Sequence, residues 1–202
     1  GVPVHEYAAR NRLDVNARLE LFLQACNALD YAHRQLILHR DIKPANLLVD
    51  ADGQIRLVDF GLGRSLETID SATDTGTTIA AGRMTPDYAS PEQARGEPVT
   101  VASEVYQLGL VLFRLLCGKL PYSTTTTSAY ELARTITTSV IHRPSECWRS
   151  GDIDPHVTAQ FSEGPKSLRR RLLGDLDNIV LMALSREPKR RYASVEALAE
   201  DL

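Results

Sequence analysis

A mainly α-helical domain carrying one small β-hairpin is the fold class that this sequence predicts. Three observations predict it. Apolar residues recur at three- and four-residue steps from Ala17 to His33. A second stretch, Ser103 to Cys117, is apolar on nearly every face. Between them lie two short β-prone runs joined by Asp50-Ala51-Asp52-Gly53.

In the first stretch, Leu19, Phe22, Cys26 and Leu29 fall on one face of a helix, so this helix buries one side. The runs Asn46-Leu47-Leu48-Val49 and Gln54-Ile55-Arg56-Leu57-Val58 flank Asp52-Gly53, a turn signal, and form the hairpin. Ser103 to Cys117 places Val105, Leu108, Leu110, Val111, Leu112, Phe113, Leu115 and Leu116 around the whole helix circumference. Such a helix lies at the centre of the fold, and Gly118 terminates it. Tyr130 to Ile136 forms a short helix. Leu176, Ile179, Val180, Ala183 and Leu184 mark another, with Asp175 as its N-cap, and Ser194 caps a last helix running to Leu202. Gly1 to Asn16 reads as an entry segment followed by polar sequence, and Ser65 to Gly82, Thr124 to Thr127 and Cys147 to Lys166 have no clear period and read as loop.

The composition excludes several classes. The chain has 202 residues, enough for one domain, and a net charge of −3, which gives no footprint for nucleic acid or an anionic membrane. No apolar run approaches a membrane span, and no secretory leader is read. The three cysteines, Cys26, Cys117 and Cys147, lack metal-ligand spacing, and the first two sit in apolar helical patterns as small core residues. This usage fits a reducing, cytoplasmic setting.

The chemistry is concentrated beside the hairpin. His39-Arg40-Asp41-Ile42-Lys43-Pro44-Ala45-Asn46 precedes it, and Asp59-Phe60-Gly61 follows it. Two carboxylates, an amide and a lysine around one hairpin form the kind of set that phosphoryl transfer needs. One group orients the attacking hydroxyl, and oxygen ligands hold Mg²⁺ on the phosphates. Asp-Phe-Gly alone is a weak signal. HRDIKPAN followed by it across an Asp-Gly hairpin is a strong one.

On these motifs the chain resembles the protein kinase superfamily, and looks most like the bacterial, eukaryotic-like serine/threonine kinases. The resemblance implies the larger, C-terminal lobe of the catalytic domain over 1–202: a helical bundle around a buried central helix (103–117), with the hairpin carrying the catalytic loop. It implies a post-hinge segment at 1–16, a catalytic loop at 39–46 and an activation segment at 59–92. The glycine-rich loop and strand lysine would belong to an N-terminal lobe of roughly ninety residues before Gly1, absent here, which would leave this piece inactive by itself. Asp41 would be the base, Asn46 and Asp59 the Mg²⁺ ligands, Lys43 a cation on the transferred phosphoryl group, and Leu48 the floor beneath the adenine of ATP. Lysine at position 43 marks serine/threonine rather than tyrosine specificity, so the implied partners are proteins bearing serine or threonine.

Thr85-Pro86-Asp87-Tyr88-Ala89-Ser90-Pro91-Glu92 resembles the segment that closes the activation loop, with Thr85 beside Asp41 and Lys43. The resemblance implies a Glu92–Arg191 ion pair, and an Arg40 that binds a phosphorylated loop residue, with Thr75, Thr77 and Thr78 as acceptors. Dimerisation for trans-autophosphorylation is compatible with it. His39 would be a packed structural residue and His33 a capping or core residue. Two departures stand out: Glu104 occupies the place of an aspartate that holds the catalytic loop, and Met84 that of a glycine. The first of these, with the absent N-terminal lobe, leaves a non-catalytic, kinase-like scaffold as the second reading. A small-molecule kinase of similar fold fits less well, because such an enzyme needs no peptide-docking segment.

Overall fold

The computed structural model describes residues 1–60, 86–122, 128–149 and 153–202. The sheet has three strands: β1 (Val2–Pro3), β2 (Leu47–Val49) and β3 (Ile55–Leu57). β2 and β3 form the expected hairpin, with Leu48 opposite Arg56, and Gly53 turns it with φ +76°. β1 adds a third antiparallel strand that sequence pattern did not reveal, with Pro3 opposite Leu48. Two residues carry no periodicity, so this strand is set by its partner alone.

The entry segment at the start of the chain, to which the sequence pattern assigned no helix, contains α1 (Val4–Arg10), which buries Val4 and Ala8. α2 (Val15–Arg34) starts two residues before the expected Ala17, because the Asp14 side chain caps it by accepting from the Ala17 amide at 2.8 Å. α3 (Pro91–Ala94) is a single turn closed by a Ser90/Gln93 capping box. α4 (Val101–Cys117) is the hub, and Val105, Leu108, Leu110, Leu112 and Leu116 along it are all fully buried. α5 (Ala129–Thr138) follows.

The stretch 147–166, expected as loop, is also partly ordered. A 3-10 turn spans Pro144–Trp148, and α6 (Pro155–Thr158) and the start of α7 (Pro165–Leu172) follow. Each opens on a proline, whose fixed φ and missing N–H suit a first helical position. α8 (Asp175–Ala183) is preceded by Gly174 at φ +108°, so Asp175 is its first residue and not the cap expected. α9 (Val195–Glu200) is capped by Ser194 as expected, through the Ala197 amide at 3.1 Å, and stops short of Leu202.

α4 is packed by α2, α8, α9 and the 3-10 turn at 144–148. Among the described residues no helix is long and apolar enough to cross a membrane. Gly118 ends α4 with φ +70°, and a Cβ there would lie 2.7 Å from Val157 Cγ1. Gly118→Ala therefore combines left-handed strain with a clash. We expect a loss of about 1–2 kcal/mol from the backbone alone, read as a lowered urea midpoint at unchanged slope.

Candidate active site

Three of the residues singled out meet on one loop. Lys43 Nζ lies 2.7 Å from Asp41 Oδ2, and Asn46 Nδ2 lies 3.3 Å from the same oxygen. Asn46 Nδ2 also donates to the Asp41 carbonyl at 2.8 Å. This spends the amide nitrogen on the loop. Asn46 is buried, whereas the Asp41 side chain keeps 26% of its surface exposed. The carboxylate is thus held by its neighbours yet open to solvent.

Asp59 is tied to this group through the main chain. The Asn46 carbonyl accepts from the Val58 amide at 3.0 Å, directly before Asp59. His39, fully buried, joins the same two segments: its Nε2 is 2.8 Å from the Val58 carbonyl oxygen and its ring lies 4.8 Å from that of Phe60. Asp59 itself is exposed. On β2, Leu47 and Val49 face the core while Leu48 between them stays half-exposed on the opposite side, as the strand period requires. Gly1 closes over Leu48 so tightly that a Cβ at Gly1 would come within 2.8 Å of the Leu48 Cβ.

Arg40 and Asp59 both adopt left-handed backbone, at φ +69° and +56°. Such conformations cost about 1–2 kcal/mol for residues other than glycine and persist only where surroundings fix them. At Arg40 the surroundings are visible. Its amide donates to Glu104 Oε1 at 2.6 Å, and its carbonyl accepts from Gln93 Nε2 at 3.0 Å. Glu104 is fully buried, and its second oxygen meets His33 Nε2 at 2.5 Å. Gln107, one turn further along α4, accepts from the Ile42 amide at 3.4 Å and donates to the Tyr88 carbonyl at 3.2 Å. Sequence reasoning passed over Gln93 and Gln107 because neutral amides carry no charge signal.

Glu92 and Arg191 form a forked pair, Nη1 to Oε1 at 2.6 Å and Nη2 to Oε2 at 2.9 Å. Thr75, Thr77, Thr78, Met84 and Thr85 lie outside the described residues.

Residues 4–201 match the protein kinase domain family. The chain belongs to that family. Serine/threonine-protein kinase PknB of Mycobacterium leprae is 34% identical over 186 residues, covering 91% of this chain and 25% of that protein. Serine/threonine-protein kinase PrkC of Bacillus subtilis is 34% identical over 203 residues, covering 100% of this chain and 27% of that protein. The chain thus spans about a quarter of the length of the curated relatives it matches. Among solved structures, a single-residue mutant of the Mycobacterium tuberculosis PknI kinase domain superposes with a TM-score of 0.62 at 22% identity, over 99% of this chain and 60% of that one. The protein kinase fold, mostly helical with a small sheet, is therefore the fold of this chain.

The glutamate that departs from the kinase pattern reaches the 39–46 loop. One carboxylate oxygen serves the Arg40 amide and the other serves His33, so the longer side chain spans two partners. Glu104→Ala removes both at once and leaves a buried N–H and a buried imidazole nitrogen unpaired. We expect it to cost about 3 kcal/mol. Glu104→Gln keeps one acceptor and the volume, and should cost well under half as much. Denaturant melting of the two variants checks the order.

Proposed function

We propose that this chain is the large lobe of a protein serine/threonine kinase catalytic domain and that it transfers the γ-phosphate of ATP to serine or threonine hydroxyls of proteins. The observation that carries this reading is the convergence of Asp41, Lys43 and Asn46 on one carboxylate oxygen, in a loop bonded to the segment that ends at Asp59. In this reading the Asp41 carboxylate accepts the proton of the substrate hydroxyl, and Lys43 moves from Asp41 onto the transferred phosphoryl group. Lysine there, two residues from the base, supports the short side chain of serine or threonine.

Protein kinases use ATP with Mg²⁺, and the donors here fit that pair. The Asn46 amide oxygen and the exposed Asp59 carboxylate are hard oxygen ligands on neighbouring segments. Among the described residues no cluster of three His, Cys, Asp or Glu side chains forms an all-protein cage. An octahedral ion that keeps waters and phosphate oxygens needs none. Bound there, the ion would neutralise charge on the phosphates; Asn46 and Asp59 would hold it and Leu48 would pack under the adenine. A nucleotide-gripping lobe closes the cleft from the far side, and the 60% coverage of the PknI kinase domain supports this division. Arg40 receives the phosphate of an activation-loop residue, with Thr75, Thr77 and Thr78 as acceptors.

Glu104 was one motive for a non-catalytic scaffold. Its contact with the Arg40 amide at 2.6 Å removes that motive and supports the enzyme reading. The test is transfer of label from γ-labelled ATP by the intact native protein, beside its Asp41→Asn variant. Label should fall on serine and threonine, the loop threonines included. No transfer by the native protein, or equal transfer by the variant, would sink the reading.

A further inference from the structure

The kinase chemistry uses none of the three cysteines, all of which are free. Two of them meet at the end of the central helix. Cys117 is the last residue of α4, and its buried Sγ lies 3.7 Å from the Pro144 carbonyl oxygen, to which it donates. Pro144 opens the 3-10 turn Pro144–Trp148. Residues three apart eclipse one another in such a turn, so Cys147 stands over Pro144 on the face turned to α4. Trp148 Nε1 donates to the Leu116 carbonyl at 3.2 Å, which pins the turn to α4 one residue before Cys117. The two cysteines are therefore neighbours across the seam between the end of α4 and the 144–148 turn.

Their surroundings differ. Cys147 is only partly buried and borders a surface recess of about 860 Å³ that Arg114, Lys119, Tyr122 and Arg149 also line. Cys117 has no such access. The neighbouring Cys117 side chain, aided by the Lys119 ammonium, holds the Cys147 thiol below the ordinary thiol range against the effect of burial. Burial pushes Cys117 up. Cys147 is therefore the accessible thiol and Cys117 the enclosed one.

We propose that Cys117 and Cys147 form a peroxide-driven, reversible disulfide that fastens the end of α4 to the 144–148 turn. The Cys147 thiolate attacks one oxygen of hydrogen peroxide. The O–O bond breaks, hydroxide leaves, and the sulfur, oxidised by two electrons, becomes a sulfenic acid. Cys117 Sγ then attacks that sulfur. The S–O bond breaks, the S–S bond forms, and the thiol proton leaves in water. A dithiol reductant restores both thiols. Cys26 takes no part: it is fully buried, and burial pushes its thiol well above the ordinary range.

The test is peptide mapping under non-reducing conditions. The intact native protein is reduced, freed of reductant and treated with a small molar excess of hydrogen peroxide. The expected product is one cross-linked peptide pair joining Cys117 to Cys147 within a single chain, reversed by dithiothreitol, with Cys26 still open to alkylation after unfolding. In Cys117→Ala the sulfenic acid at Cys147 should persist and be trapped by dimedone. In Cys147→Ser, Cys117 should stay unoxidised. Should Cys117→Ala fail to fold, the native map decides alone. Over-oxidation of native Cys147 to sulfinic acid with Cys117 still alkylatable would overturn the proposal. So would inertness of both thiols, or cross-links only between chains.

Discussion

Asp41→Asn in the intact protein is expected to lower phosphoryl transfer by about 10²- to 10⁴-fold, the range that a positioned general base contributes. Little else should change. The asparagine keeps the volume, and Asn46 Nδ2 still has the main-chain carbonyl at 2.8 Å, because that bond does not involve the replaced side chain. The Asp41 side chain is partly exposed, so no buried group is left unpaired. Thermal melting within a degree of the native protein, together with nucleotide affinity within a few-fold, would assign the loss to chemistry. A variant that melts earlier in step with its loss of activity would instead make Asp41 a structural residue.

Arg191→Ala should be the most damaging single change for stability, followed by Glu92→Ala. Both side chains are buried and joined at two points. Arg191 also donates to the Ala102 carbonyl at 2.7 Å, the Ser185 carbonyl at 2.6 Å and the Arg186 carbonyl at 3.1 Å, and its guanidinium stacks 4.9 Å from the Tyr106 ring. Removing one partner of such a pair leaves an uncompensated buried charge, at a cost of about 3–5 kcal/mol. For a chain of this size that lowers the melting temperature by roughly 10 °C. Arg191→Ala is worse because three carbonyls lose their donor along with the carboxylate. The double replacement Glu92→Leu with Arg191→Met should regain part of the loss. Unchanged melting in both single variants would contradict the role assigned to the pair.

The same pair gives stability a pH dependence. Burial raises the Glu92 carboxyl, but hydrogen bonds from Arg191 and Ser103 overcome it and hold the group below the ordinary carboxylate range. A depressed folded-state pKa contributes stability above the unfolded value of about 4.3, and that contribution is lost as pH falls through the folded value. Native protein should therefore lose more stability than Glu92→Ala between about pH 5 and pH 3.

Much of this was legible beforehand. α2 was visible because its apolar residues follow the helical period, α4 because a long stretch is apolar on nearly every face, and the hairpin because Asp-Gly turns it. The motif residues 41, 43 and 46 are neighbours in sequence, so a single loop brings them together. What escaped had weaker local signals. β1 is two residues long and exists only through pairing with β2. The helices opening at Pro155 and Pro165 are short, and their prolines read equally well as turns. Gln93 and Gln107 bond the 39–46 loop from elsewhere in the chain, His33 meets Glu104 behind it, and Cys117 and Cys147 belong to two separate elements. Only packing creates such relations.

One buried residue carries a consequence for how the lobe comes apart. Arg18 of α2 is enclosed, and among the described residues its guanidinium donates to main-chain carbonyls: Leu13 at 2.8 Å, Leu115 at 2.9 Å, Ala8 at 3.2 Å, and Gln160, with the Phe161 ring 3.8 Å beneath it. Its hydrogen-bond acceptors come from separate stretches of backbone. Peeling any one of them away strands a cation in apolar surroundings, so partial opening gains little over complete opening. α1 and the turn after it, the tail of α4 and the approach to α7 are thereby obliged to leave together, and slow amide exchange should report them as one unit.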